Sequence, residues 1–139
     1  MKKDRHGKTV PADAAEIGKV LRPFLKGREE IIAFYLFGST ATGKTNPLSD
    51  VDIAVLIDER CAISPDYKPV LLAELMSLLR RNDIDAVILN EAPPFLRYRV
   101  IRDGILLYEK NSRARIRFHV QSYSTYLDLK PFLRKVYGI

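Results

Sequence analysis

IIAFYLFGSTATGKTNPLSDVDIAVLI, residues 31–57, sets two short apolar runs on either side of a small, polar middle. Ile31 to Phe37 is β-branched and aromatic and stops at Gly38-Ser39, which predicts a strand buried on both faces. Residues 40–49 are small, polar and interrupted by Pro47, so they predict a short helix or turn followed by a loop. Asp50 to Ile57 reads as a second strand. Alternate side chains of a strand share a face, so Asp50 and Asp52 point the same way, about two residue rises apart. Two like-charged carboxylates on one face repel unless water solvates them or cations neutralise them. Magnesium is the simplest neutraliser, and two such ions sit about 3.5 to 4 Å apart in phosphoryl-transfer sites. Gly38 lets backbone approach a ligand closely, and N–H groups of a helix starting just after it can hold phosphate oxygens. Ser39 adds a hydroxyl, and Lys44 a positive charge.

Outward from this stretch the apolar period changes repeatedly. Ala14, Ile17, Val20, Leu21, Phe24 and Leu25 recur at threes and fours, predicting a helix over Pro11–Lys26 that Gly27 ends. The leucines of Pro69–Arg81 predict another. Asp83–Leu89 reads as a third strand, Pro94–Arg102 as a short helix, and Ile105–Tyr108 as a strand after the turn Asp103-Gly104. The last segment, Ser112 to about Tyr137, reads as helical, with Pro131 expected to interrupt or restart it. Asp85 stands inside the apolar third strand, where an unpaired carboxylate is costly, so it is expected to face a metal or a polar cleft. Asp83 shares its face by period but is explained by a turn. The order argues for a layered structure with a mixed sheet.

Composition bounds the rest. At 139 residues, 47% of them hydrophobic, the chain can bury one core. The longest apolar run has seven residues, against roughly 20 for a membrane span. There is no signal-like leader, and the single cysteine, Cys61, permits neither an internal disulfide nor a zinc set, so a cytoplasmic location is expected. Residues 97–139 hold 10 basic and 3 acidic side chains, whereas the first 96 are close to neutral. A basic segment on a near-neutral body points to an anionic partner: a nucleotide, RNA, or an acidic protein face.

Gly38-Ser39-x10-Asp50-x-Asp52, with Asp85 on a later strand, resembles the nucleotidyltransferase superfamily of DNA polymerase β type. The short length is similar to its minimal members. The series from Asp85 to Pro94, then Leu96-Arg97-Tyr98, Asp103 to Tyr108 and Tyr126-Leu127-Asp128 resembles the antitoxins encoded beside HEPN toxins. That resemblance implies an α+β fold: a palm-like mixed sheet flanked by helices, in one domain over 1–139, with a basic helical segment from about 112. It implies transfer of AMP from ATP to a tyrosine of a partner HEPN ribonuclease in a hetero-oligomer. Asp50 and Asp52 would hold two magnesium ions, Asp85 would complete the metal that activates the acceptor oxygen, and Gly38, Ser39 and Lys44 would hold the nucleotide. Many relatives read Gly-Ser-x-Ala-Arg-Gly; here Thr42 takes the Arg place, so its role shifts to Lys44 or Arg97. Two alternatives stay open: a small-molecule nucleotidyltransferase of aminoglycoside type, and a non-catalytic antitoxin that blocks its toxin by binding.

Other residues have plainer readings. Arg113 and His119 fall at the spacing of an Arg–His pair in HEPN ribonucleases, but those are all-helical and this chain has four expected strands. Tyr98, Tyr108, Tyr123, Tyr126 and Tyr137 read as core-edge or interface residues. Arg97, Arg99, Arg102, Arg113, Arg115 and Arg117 could form one docking surface for an acidic partner, with nucleic acid as the less favoured occupant.

Overall fold

The computed structural model describes residues 3, 4, 7–38, 41 and 50–138. Helix α1 spans Ala12–Lys26, β1 Ile31–Phe37, β2 Val51–Ile57, α2 Tyr67–Leu79, β3 Ile84–Ile88, α3 Pro94–Asp103, β4 Ile105–Glu109 and α4 Ser112–Tyr137. Among the described residues the strands make one mixed sheet in the order β3-β2-β1-β4. β1 is antiparallel to both neighbours, and β2 runs parallel to β3. The fold is the expected mixed sheet flanked by helices.

Alternation along the strands sorts the core into two layers. Ile53, Val55, Ile84, Ala86 and Phe34 pack with Ile17, Leu21 and Leu25 of α1 and Leu71 and Leu75 of α2. On the other face Ala33, Tyr35, Ala54, Leu56 and Leu106 pack with Val100 of α3, and Phe118 of α4 lies against them. Both faces of β1 are therefore covered, which is why that run is apolar throughout rather than alternating.

Three features close the ends of this sheet. The Val51 amide donates to the Asp83 carbonyl at 2.7 Å, fixing where β2 and β3 start together. At their far ends the Asn90 side chain accepts from the Ile57 amide and donates to the Ile57 carbonyl, both at 2.8 Å, in place of a further strand residue. Along the outer edge Asp4 accepts from the Leu106 amide at 3.2 Å, and Lys8 Nζ donates to the carbonyls of Gly104 and Ile101. A short N-terminal segment thus covers the β4 edge, which would otherwise invite pairing.

The expectations differ from the structure at a few places. Asp83 stands outside β3, paired with Arg81. Pro131 neither interrupts nor restarts α4, which is one helix through Tyr137. A helix forfeits one hydrogen bond at a proline, and a largely exposed position lets water take the freed carbonyl. Among the described residues no helix is long and apolar enough to cross a membrane.

Candidate active site

Register brings the acidic residues together. In the β2–β3 pairing Asp52 lies directly beside Asp85, and in the β1–β2 pairing it lies opposite Phe37. Val51 and Ile53 point into the α1/α2 layer, so Asp52 points to the other face, shared with Ala54 and Leu56. Asp85 follows the same logic between buried Ile84 and Ala86 and is exposed. Asp50, just before β2, is exposed at the same end. Asp85 Oδ1 accepts from the Ala86 amide at 2.9 Å.

Gly38 completes this corner. Its φ is +72°, and a Cβ built on it would stand 2.6 Å from Asp52 Oδ2. Only a residue without a side chain lets the end of β1 turn so closely over that carboxylate. The Asp52 carboxyl is pushed above the usual carboxylate range, first by burial and then by the negative charges of Asp85 and Asp50. Asp85 and Asp50 both bear electrostatically on Asp52.

These groups suit a hard divalent cation. The donors are all carboxylate oxygens, Asp52 and Asp85 stand level on adjacent strands, and Gly38 lets the backbone at the end of β1 pass close to Asp52. Among the described residues no three His, Cys, Asp or Glu side chains close around one point. Repulsion between Asp52 and Asp85, level on adjacent strands, would be offset by a cation held between them. Ser39, Lys44 and Thr42 lie outside the described residues.

Arg97 is engaged away from the acidic corner. Its Nε donates to the Ala92 carbonyl at 2.8 Å and its Nη2 to the Asn90 carbonyl at 2.7 Å, with the guanidinium over the Phe118 ring. Asn90 lies beyond the far end of β3, in the 3-10 turn Leu89–Glu91, and Asp85 is three residues or about 10 Å of strand from that end. Arg97 braces the β3–α3 turn instead.

The six arginines expected to share a surface do not. Arg115 is buried and ion-paired with Glu109, Arg102 pairs with Asp103, and Arg113 and Arg117 are exposed. Charge counted along a sequence cannot tell an inward-facing arginine from an outward-facing one; here the i, i+4 pair Arg115 and His119 faces the sheet. His119, set aside as half of a ribonuclease-like pair with Arg113, meets the Tyr35 hydroxyl at 2.6 Å in the buried layer. Tyr35 lies two residues before Phe37 on the Asp52 face, so this bond fastens α4 next to the acidic corner. Burial pushes the Tyr35 phenol well above its ordinary value.

With that geometry in place, likeness to known proteins becomes informative. A family profile described as "Polymerase beta, Nucleotidyltransferase" matches residues 19–113. Protein adenylyltransferase MntA of Aphanizomenon flos-aquae is 37% identical over 83 residues, taking in 54% of this chain and 55% of that protein, so the match spans about half that relative. A toxin–antitoxin structure with AMP-PNP aligns with a TM-score of 0.69 at 29% identity, covering 87% of this chain and 92% of its own. A structure of the tri-AMPylated Shewanella oneidensis HEPN toxin with its MNT antitoxin aligns with a TM-score of 0.63 at 27% identity, covering 87% and 89%.

Proposed function

Because the chain belongs to the polymerase beta nucleotidyltransferase family, we propose that it is a magnesium-dependent protein adenylyltransferase that moves AMP from ATP to a tyrosine of a HEPN-type toxin and thereby serves as its antitoxin. The observation that carries this reading is the pairing of Asp52 with Asp85 across β2 and β3, with Asp50 acting on Asp52 and Gly38 turning closely over it. The likeness to an MntA adenylyltransferase and to toxin–antitoxin structures, one with AMP-PNP and one with an AMPylated toxin, supports the nucleotide and the acceptor. Residues 1–139 act in this reading as one nucleotidyltransferase unit that forms a hetero-oligomer with the toxin.

The residues divide the work as follows. The acceptor phenol gives up its proton to solvent, its oxygen bonds to the α-phosphorus of ATP, the bond to the bridging oxygen breaks, and pyrophosphate leaves with that electron pair. Asp50 and Asp52 would hold the magnesium ions, and Asp85 would complete the one that activates the acceptor oxygen. Magnesium supplies neutralisation of the triphosphate charge and eases ionisation of a phenol whose free pKa is about 10. Gly38 keeps side-chain atoms out of the phosphate path, and Ser39 and Lys44 bind the phosphates. Positioning and electrostatics account for most of such a transfer.

With labelled ATP, magnesium and the partner toxin, label should move to a toxin tyrosine, and Asp50→Asn or Asp52→Asn should abolish that transfer. Asp85→Asn should remove transfer while leaving nucleotide binding in place. Full transfer by both the Asp50 and Asp52 variants would refute the carboxylate assignment.

A further inference from the structure

Helix α4 is 26 residues long, about 39 Å, and only one side of it is covered. Arg115, His119 and Ser122 are buried against the body. Next to that side Ile116, Val120, Tyr123 and Leu127 form a second line with exposures of 50, 63, 38 and 60%. Steps of four, three and four residues keep them on one ridge about 16 Å long. Single exposed apolar residues are ordinary, but a periodic line of four on one helix is half of a helix–helix seam. The ridge is also set in advance at its aromatic member. Tyr123 stands edge-on to Tyr98 at 5.4 Å, and Tyr98 stacks on Tyr126 at 3.7 Å. An anchor already fixed loses less freedom on binding.

Charge selects the occupant. Between Ser112 and Tyr137 there are six basic residues and one acid, Asp128. Arg113 and Arg117 stand three residues before Ile116 and Val120 and border the ridge, while Lys130 and Arg134 continue past Leu127 at helical spacing. A second copy laid antiparallel would set Arg113 and Arg117 against Lys130 and Arg134, so self-association along this ridge is opposed by like charge. RNA is poorly served by Ile, Val and Leu, which offer bases nothing to stack on, and the one aromatic of the ridge, Tyr123, is already engaged with Tyr98. We propose that this ridge docks an amphipathic helix of the partner toxin, its apolar line bordered by Asp and Glu. The identity of that partner rests on the function proposed above; the surface rests on the exposed ridge and its basic border.

The test uses the full-length chain and the purified toxin. Val120→Asp with Leu127→Asp should weaken binding to the toxin by about thirtyfold or more, as loss of central anchors does. Both side chains are exposed, so the free variant should unfold at the wild-type temperature and bind ATP as wild type does. Arg113→Glu with Arg117→Glu should slow association and flatten its salt dependence. AMP transfer by the Asp pair should be slow at low toxin and recover at saturating toxin. Unchanged toxin affinity in the Asp pair overturns the docking surface and leaves the adenylyltransferase reading standing. Ridge-dependent binding without AMP transfer by wild type does the reverse. A wild-type dimer that the Asp pair dissolves, or salt-sensitive RNA binding that the Glu pair removes, assigns the ridge to another occupant and overturns the proposal.

Discussion

At Gly38 one missing carbon atom decides where a carboxylate can sit. With φ at +72° and Asp52 Oδ2 2.6 Å from the place a Cβ would take, Gly38→Ala combines a left-handed backbone with a collision. The backbone part costs about 1–2 kcal/mol. The collision is relieved only by turning Asp52 away, and a displaced ligand should slow AMP transfer about a hundredfold. Denaturant titration and a transfer assay on the same variant separate the two effects. Asp52 itself offers the opposite trade. Its folded carboxyl is raised by burial and by Asp85 and Asp50, so the folded state holds its proton more tightly than the unfolded chain does. Stability is therefore lost as pH rises from the usual carboxylate range through that raised value. In magnesium-free buffer at pH 7, Asp52→Asn should unfold at a higher temperature than wild type, and the gain should shrink as pH falls toward about 4 and be gone below it. A variant less stable than wild type at pH 7 would show that the carboxylate has a compensating partner.

Junctions between elements are where the sequence was read most easily and where substitution should cost most. The turn Asp103-Gly104 was legible, but its closeness was not: a Cβ on Gly104 would meet the Val100 carbonyl at 2.4 Å and the Leu36 carbonyl at 3.1 Å. Both obstacles are backbone and cannot swing aside, so Gly104→Ala should destabilise by about 1–3 kcal/mol, as overpacking does, read by thermal or denaturant unfolding. The helices and strands were legible because their apolar periods are clean; Ile31–Phe37 is buried on six of seven positions, as its unbroken pattern implied. Pro131 misled, since proline's lost hydrogen bond weighs against a helix only until a partly solvated helix absorbs it. Arg97 and Arg115 misled because their partners, the Asn90 and Ala92 carbonyls and Glu109, lie at 5–7 residues' distance across turns. No helical or strand period links such positions.

For the molecule as a whole, spacing along the chain named Asp50, Asp52 and Asp85 before any register was known. What spacing could not supply was the strand order, which sets Asp52 level with Asp85 and closes Gly38 over it. Order depends on which edges pair, and β1 and β2 are both apolar enough to be central. The Tyr35–His119 bond was equally hidden, because 84 residues separate its ends.

The order β3-β2-β1-β4 has a consequence for how the chain is made. β1 leaves the ribosome early and finds β2 soon after, but its other edge waits for β4. Phe37 and Glu109 lie 72 positions apart in the sequence, so at 5–20 residues per second that edge stays unpaired for roughly 4–14 s of synthesis. During that interval the nascent chain presents Ala33, Phe34, Tyr35 and Leu36 as an open apolar strand. Translation that stalls before Ile105 would yield a product holding all three acidic residues of the candidate site and no means of closing its sheet, a fragment destined for aggregation rather than activity.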